Sequence, residues 1–134
     1  MRYLLDTNQV VYYLRQEQRV VDDLQSRKQE GLAVSAVTVA ELYEGIFRAT
    51  DPIAAEQVLR NFLSEVVILP VDEDIGRLFG QERARLRQAG MLMSDLDLLI
   101  AATALHHNMT LLTEDQAFDR VQNLNVIFPN STSR

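Results

Sequence analysis

Four carboxylates in this chain each stand beside an apolar run. Asp6 follows the first in "LLDTN", and Asp115 follows a late one in "LLTED". Glu41 stands in "SAVTVAEL", and Asp97 opens "DLLIAATAL". Four acids gathered in one place repel and raise one another's pKa. A hard divalent cation with oxygen ligands relieves that repulsion, and Mg²⁺ or Mn²⁺ suits a carboxylate site that keeps several waters. Cysteine is absent, so thiolate metal chemistry and disulfides are excluded. The two histidines, His106 and His107, fall at the far end of the helix that Asp97 would open, and such a site does not need them.

Each acid also has a purely structural reading. Thr38-x-x-Glu41 and Ser94-x-x-Asp97 both fit a capping box, in which the acid only satisfies a backbone N–H. Asp6 fits a turn anchor, and Asp115 fits a cap for the short segment "QAFDRV". Asp6, directly after a buried strand, leans toward chemistry. The four together are harder to dismiss than any one alone.

The elements around them decide whether they meet. Short apolar runs at 1–5, 32–36, 66–69, 109–113 and 125–128 read as buried strands. Between them, 8–16, 18–30, 38–49, a segment opened by Pro52, 72–90 and 95–107 carry helical periodicity. Asp72 is placed to cap the 72–90 helix, and Gly31 and Gly90 to close helices. Continuously apolar strands alternating with amphipathic helices predict a three-layer α/β/α fold around a mostly parallel sheet of about five strands. In such folds ligands bind at the carboxyl ends of the strands. Asp6 and Asp115 fall there directly, and Glu41 and Asp97 fall in the first turns of helices that start there.

The stretch "MSDLDLLIAATALHH" holds two acids close together, Asp95 and Asp97. Two residues on a helix are rotated by about 200°, so both cannot face one site. Asp97 is in register with Ile100, Ala101 and Ala104, which would pack on the sheet. Asp95 then projects the other way, or caps the helix together with Ser94.

Bulk properties bound the rest. At 134 residues, one domain spanning 1–134 is expected. Net charge is −6 and the pI about 4.8, against broad non-specific nucleic-acid binding. A nucleic-acid enzyme with its acids concentrated in a metal site stays open. Early charges at Arg2 and Asp6, and the lack of any membrane-spanning apolar run, point to a cytoplasmic protein with no membrane association. The run "RARLR" (83–87) reads as a solvated helix face, as do Glu17, Asp22, Asp23, Glu56 and Glu65.

In order and spacing, "LLDTN", "SAVTVAELYEG", "DLLIAATAL" and "LLTEDQAF" resemble the PIN domain, specifically the VapC-type ribonuclease toxins. The resemblance spans nearly the whole chain. It implies a PIN-like parallel sheet and a Mg²⁺- or Mn²⁺-dependent endoribonuclease that leaves a 5′-phosphate and a 3′-hydroxyl. It also implies a cognate VapB-like antitoxin and a homodimer. By motif, the catalytic and metal-binding set falls on Asp6, Glu41, Asp97 and Asp115, with the Thr113 hydroxyl nearby.

Two other classes compete. A phosphoacceptor receiver also clusters acids around Mg²⁺, but it needs a lysine at a strand end, and the only lysine, Lys28, precedes the second strand. A phosphatase of the DxD type is disfavoured because "DTN" lacks the second aspartate. A non-catalytic PIN-like interaction domain remains, disfavoured by retention of all four acids.

Overall fold

Five short parallel strands form the middle layer of the computed structural model, which describes residues 2–129. Strand β1 is Tyr3–Leu5, β2 Leu32–Ser35, β3 Val67–Leu69, β4 Thr110–Leu112 and β5 Val126–Ile127. The helices are α1 Thr7–Leu14, α2 Gln18–Arg27, α3 Ala36–Phe47, α4 Pro52–Leu63, α5 Glu73–Gln88 and α6 Asp95–His107. Strand order is β3-β2-β1-β4-β5, so β1 is central and every pairing is parallel.

The two-residue period of a strand sorts its side chains into two cores. Tyr3, Leu5, Leu32, Val34 and Leu112 face one side, where Val10, Leu24, Leu42, Ile46, Leu59 and Phe62 of α1–α4 cover them. Leu4, Ala33 and Leu111 face the other, covered by Leu86, Leu98, Ile100, Ala101, Ala104 and Phe118. A strand buried on both faces cannot alternate apolar with polar residues, which is why these runs are continuously apolar.

Element ends follow local chemistry. Helix α5 closes with Gly90 at φ 68, while Gly90 N–H bonds Arg87 C=O and Met91 N–H bonds Leu86 C=O. That pair of bonds is a Schellman closure, which requires the left-handed conformation glycine adopts freely. Asn108, at φ 54, turns the end of α6 into β4.

The expected boundaries shift in places. Helix 18–30 breaks at Arg27 into a 3₁₀ turn, Lys28–Glu30, before Gly31. Helix α3 begins at Ala36, not residue 38, because Ser35 caps it through a bond from Val37 N–H. The third strand is not fully buried: Val67 and Ile68 are exposed, because β3 is an edge strand. Of the acids expected in solvent, Glu17, Asp23 and Glu56 are half-buried and bonded to Arg19, Arg27 and Tyr43.

The chain runs from β1 outward to β2 and β3, then crosses through α5 and α6 to β4 on the other side of β1. The order therefore reverses between β1 and β4, and a crevice lies beyond their carboxyl ends.

Candidate active site

Asp6 leaves β1 at that crevice. Its backbone N–H bonds Leu112 C=O at 3.0 Å, which ties it to the end of β4. Its Oδ1 accepts from Thr7 N–H at 2.8 Å, capping α1, and its Oδ2 accepts from the Thr113 hydroxyl at 2.7 Å. The residue is 4% exposed. Burial is the main force raising its pKa above the usual aspartate value. The bonds from Thr113 and Thr7 pull it back, and Asp115 and Glu41 push it up further.

Glu41 does not close a capping box. With Ser35 as the cap, it lies in the second turn of α3, and its Oε1 accepts from the Thr7 hydroxyl at 2.5 Å. No described residue donates to its other oxygen.

Asp97 stands in the first turn of α6. The Ser94 hydroxyl accepts from Asp97 N–H at a long 3.4 Å, so the serine is the cap. The Asp97 carboxylate itself accepts from no described donor. Burial first, then the charges of Asp6, Asp115 and Glu41, push its pKa to about 6. Asp95 points away as expected, but it caps nothing; its carboxylate pairs with Arg83 at 2.8 Å.

Asp115 has both of its anticipated roles available. Its Oδ1 caps the 3₁₀ turn Gln116–Arg120 through a bond from Ala117 N–H at 2.9 Å. Its charge acts on both Asp6 and Asp97. Thr113, fully buried, joins two acids: its hydroxyl donates to Asp6 and accepts from Asp115 N–H at 3.0 Å.

The fold thus places the four acids within one electrostatic neighbourhood, though not in a closed cage. Among the described residues, the one trio whose ligand atoms all lie within 4.8 Å of each other is Asp72, Asp74 and His106, exposed at the other end of α6. The four acids stand farther apart, as like charges do. Their donor set is all oxygen, hard and anionic, with free oxygens on Glu41, Asp97 and Asp115. That chemistry fits a hard divalent cation that keeps part of its water shell.

Sequence reasoning missed the inner support. Thr7 and Thr38 were visible inside the motifs, but only as a neighbour and a candidate cap. Fully buried Gln9 bonds Glu114 at 3.0 Å, and Arg19 reaches the same carboxylate at 2.9 Å. Beside Thr7 and Glu41, a groove of about 490 Å³ opens between α1, α3 and α4, lined by apolar Val11, Leu42, Ile46 and Leu59, with Arg15 and Arg48 also on its walls.

Comparison with known proteins supports the fold. A family model described as the PIN domain matches residues 3–124. Ribonuclease VapC2 of Haemophilus influenzae is 31% identical over 122 residues, covering 90% of this chain and 92% of that protein. Toxin FitB of Neisseria gonorrhoeae is 35% identical over 121 residues, covering 84% of this chain and 86% of that protein. Among solved structures, VapBC2 from Rickettsia felis bound to a promoter DNA fragment superposes with a TM-score of 0.89 at 29% identity, covering 95% of this chain and 98% of that one.

Proposed function

The chain belongs to the PIN-domain family, and on that premise we propose that it is a VapC-type toxin, an endoribonuclease dependent on Mg²⁺ or Mn²⁺. The observation that carries the metal reading is Asp97. It is a half-buried carboxylate with no described donor, set among three other acids and pushed to a pKa of about 6. Such a site lacks positive charge.

Asp6, Glu41, Asp97 and Asp115 would hold the cation. When bound, it neutralises their charge, polarises a phosphoryl oxygen and makes a water more acidic. The protein groups do the rest. Asp6, fixed on both oxygens, is a rigid anion at the crevice floor. Glu41 and Asp115 each keep one oxygen free of described donors, and either can orient a water and accept its proton. The receiver alternative lacks its lysine, since Lys28 bonds Glu65 at 3.1 Å, before β2 and at the opposite edge of the sheet.

The test is incubation of purified protein with total RNA, followed by mapping of the new 5′ ends. Cleavage is expected with Mg²⁺ or Mn²⁺, loss in EDTA, and recovery on adding the ion back. Full cleavage in EDTA overturns the metal reading, and no cleavage under any ion overturns the nuclease.

Among the similar solved structures are a toxin–antitoxin complex from Klebsiella pneumoniae and a member of the VapBC family of toxin–antitoxin systems from Mycobacterium tuberculosis. By that analogy this chain acts in the cytoplasm as a homodimer and is silenced by a VapB-like antitoxin. Net charge of −6 and an acidic crevice favour a partner that brings an arginine or lysine to the carboxylates. Expression alone is expected to arrest growth, and co-expression of the adjacent small reading frame to restore it. Soluble expression without toxicity in any host counts against the toxin role. Among the described residues, no helix is long and apolar enough to cross a membrane.

A further inference from the structure

Thr7 contacts two of the four acids at once. Its backbone N–H bonds Asp6, and its hydroxyl bonds Glu41 at 2.5 Å. The same hydroxyl oxygen lies 3.0 Å from that of Thr38, which is fully buried. Counting protons fixes the direction of this chain. An ionised Glu41 has none to give, so the single Thr7 proton goes to Glu41. The Thr7 oxygen is then the acceptor, and Thr38 is the donor. Two hydroxyls in series, Thr38 to Thr7 to Glu41, each polarise the next.

The hydroxyl of Thr7 has no task in its own helix, because Asp6 already caps α1. Glu41 has a long side chain and loses substantial rotamer freedom when held. On the other side of Asp6, Thr113 does the parallel job, donating to Asp6 and accepting from Asp115. Two of the pairs, Asp6 with Glu41 and Asp6 with Asp115, are thus each spanned by one threonine.

We infer that Thr7, oriented by Thr38, is a positioning residue that holds Glu41 in place beside Asp6 for cation binding. The inference rests on the proposed metal-dependent reading of the four acids. Thr7 touches neither cation nor RNA in this role; it acts through Glu41.

Two measurements decide it. The first is Mn²⁺ titration at fixed pH, following free Mn²⁺ by electron paramagnetic resonance, on the wild type, Thr7→Val and Thr7→Ser. Valine removes the hydroxyl at nearly constant volume, and serine keeps it. Thr7→Val is expected to weaken Mn²⁺ binding about 10–100-fold, as losses behind a metal ligand do. Thr7→Ser is expected to recover most of it. Unchanged binding in Thr7→Val overturns the inference, and so does equal loss in both variants, because keeping the hydroxyl would then not preserve binding. The second is a melting cycle in EDTA with Thr7→Val, Glu41→Met and the double variant. The valine is expected to lower Tm in the wild type but much less in the Glu41→Met background. Additive shifts break the link between the two side chains and overturn the inference without any metal present. A wild type that binds no Mn²⁺ overturns the metal reading instead, while the melting cycle still decides whether Thr7 holds Glu41.

Discussion

Asp6→Asn is expected to fold normally, to lose Mn²⁺ binding, and to cleave RNA at least about a hundredfold more slowly than the wild type. Replacing a group behind a metal ligand costs about 10–100-fold, so removing the charge of the ligand itself costs more. Volume and shape barely change. The carbonyl of the introduced amide can still accept from Thr7 N–H, as Oδ1 does now. The second bond must reverse, because Thr113 donates to Oδ2 and an amide nitrogen cannot accept. Thr113 then loses the acceptor for its proton, at about 1 kcal/mol. Against this, a buried carboxylate with a raised pKa is removed. The two effects oppose, so the melting temperature in EDTA should stay close to that of the wild type. Cleavage at the wild-type rate would remove Asp6 from the site, and a collapsed melting curve would make its role structural.

Asp97→Asn separates chemistry from stability more sharply, because no described hydrogen bond is lost with its charge. Cleavage should again fall by at least about a hundredfold. The stability change should depend on pH. Folding raises this pKa from 3.8 to about 6, so the folded protein binds the proton more tightly than the unfolded chain. That stabilisation is complete below pH 3.8 and is lost as pH rises through about 6. Above this window the charged aspartate destabilises the metal-free protein, and a neutral asparagine does not. Two pKa units correspond to about 3 kcal/mol, and partial exposure of the group reduces this to about 1. In EDTA at pH 7.5 the asparagine variant should therefore melt about 3–5 °C higher, and at pH 3.5 the two should coincide. Excess Mn²⁺ should reverse the order, since only the wild type gains stability from binding.

Asp95→Ala is the matched control. It removes a surface ion pair with Arg83, worth under about 1 kcal/mol, and should retain most of the activity. An inactive Asp95→Ala beside an active Asp97→Asn would reverse the assignment of this helix face.

Periodicity carried most of this architecture. Continuous apolar runs such as "YLL" and "LAVS" announced strands covered on both faces, and the Ile100, Ala101 and Ala104 register placed Asp97 inward. Boundaries were less legible where side chains chose between backbone donors. Ser35 capped α3 ahead of Thr38, and this moved Glu41 from the first turn to the second and freed it from a capping box. Edge position was also hidden, since Val67 and Ile68 look like interior strand residues until β3 is seen to have one neighbour. The proposed acids could be singled out because each stands beside an apolar run. Their supports could not. Thr7 and Thr38 are 31 residues apart, and nothing local in either segment indicates that their hydroxyls meet.

The central place of β1 has a consequence for the timing of synthesis. Asp6 and Thr113, which bond across the crevice, are separated by 107 positions. At translation rates of about 5–20 residues per second, about 5–20 seconds pass between the making of one and of the other. During that interval β1 has only its β2 side to pair with, and for most of it Asp97 and Asp115 do not yet exist in the nascent chain. The proposed site is therefore incomplete throughout that interval. The four acids come together only when the late strand β4 docks against β1.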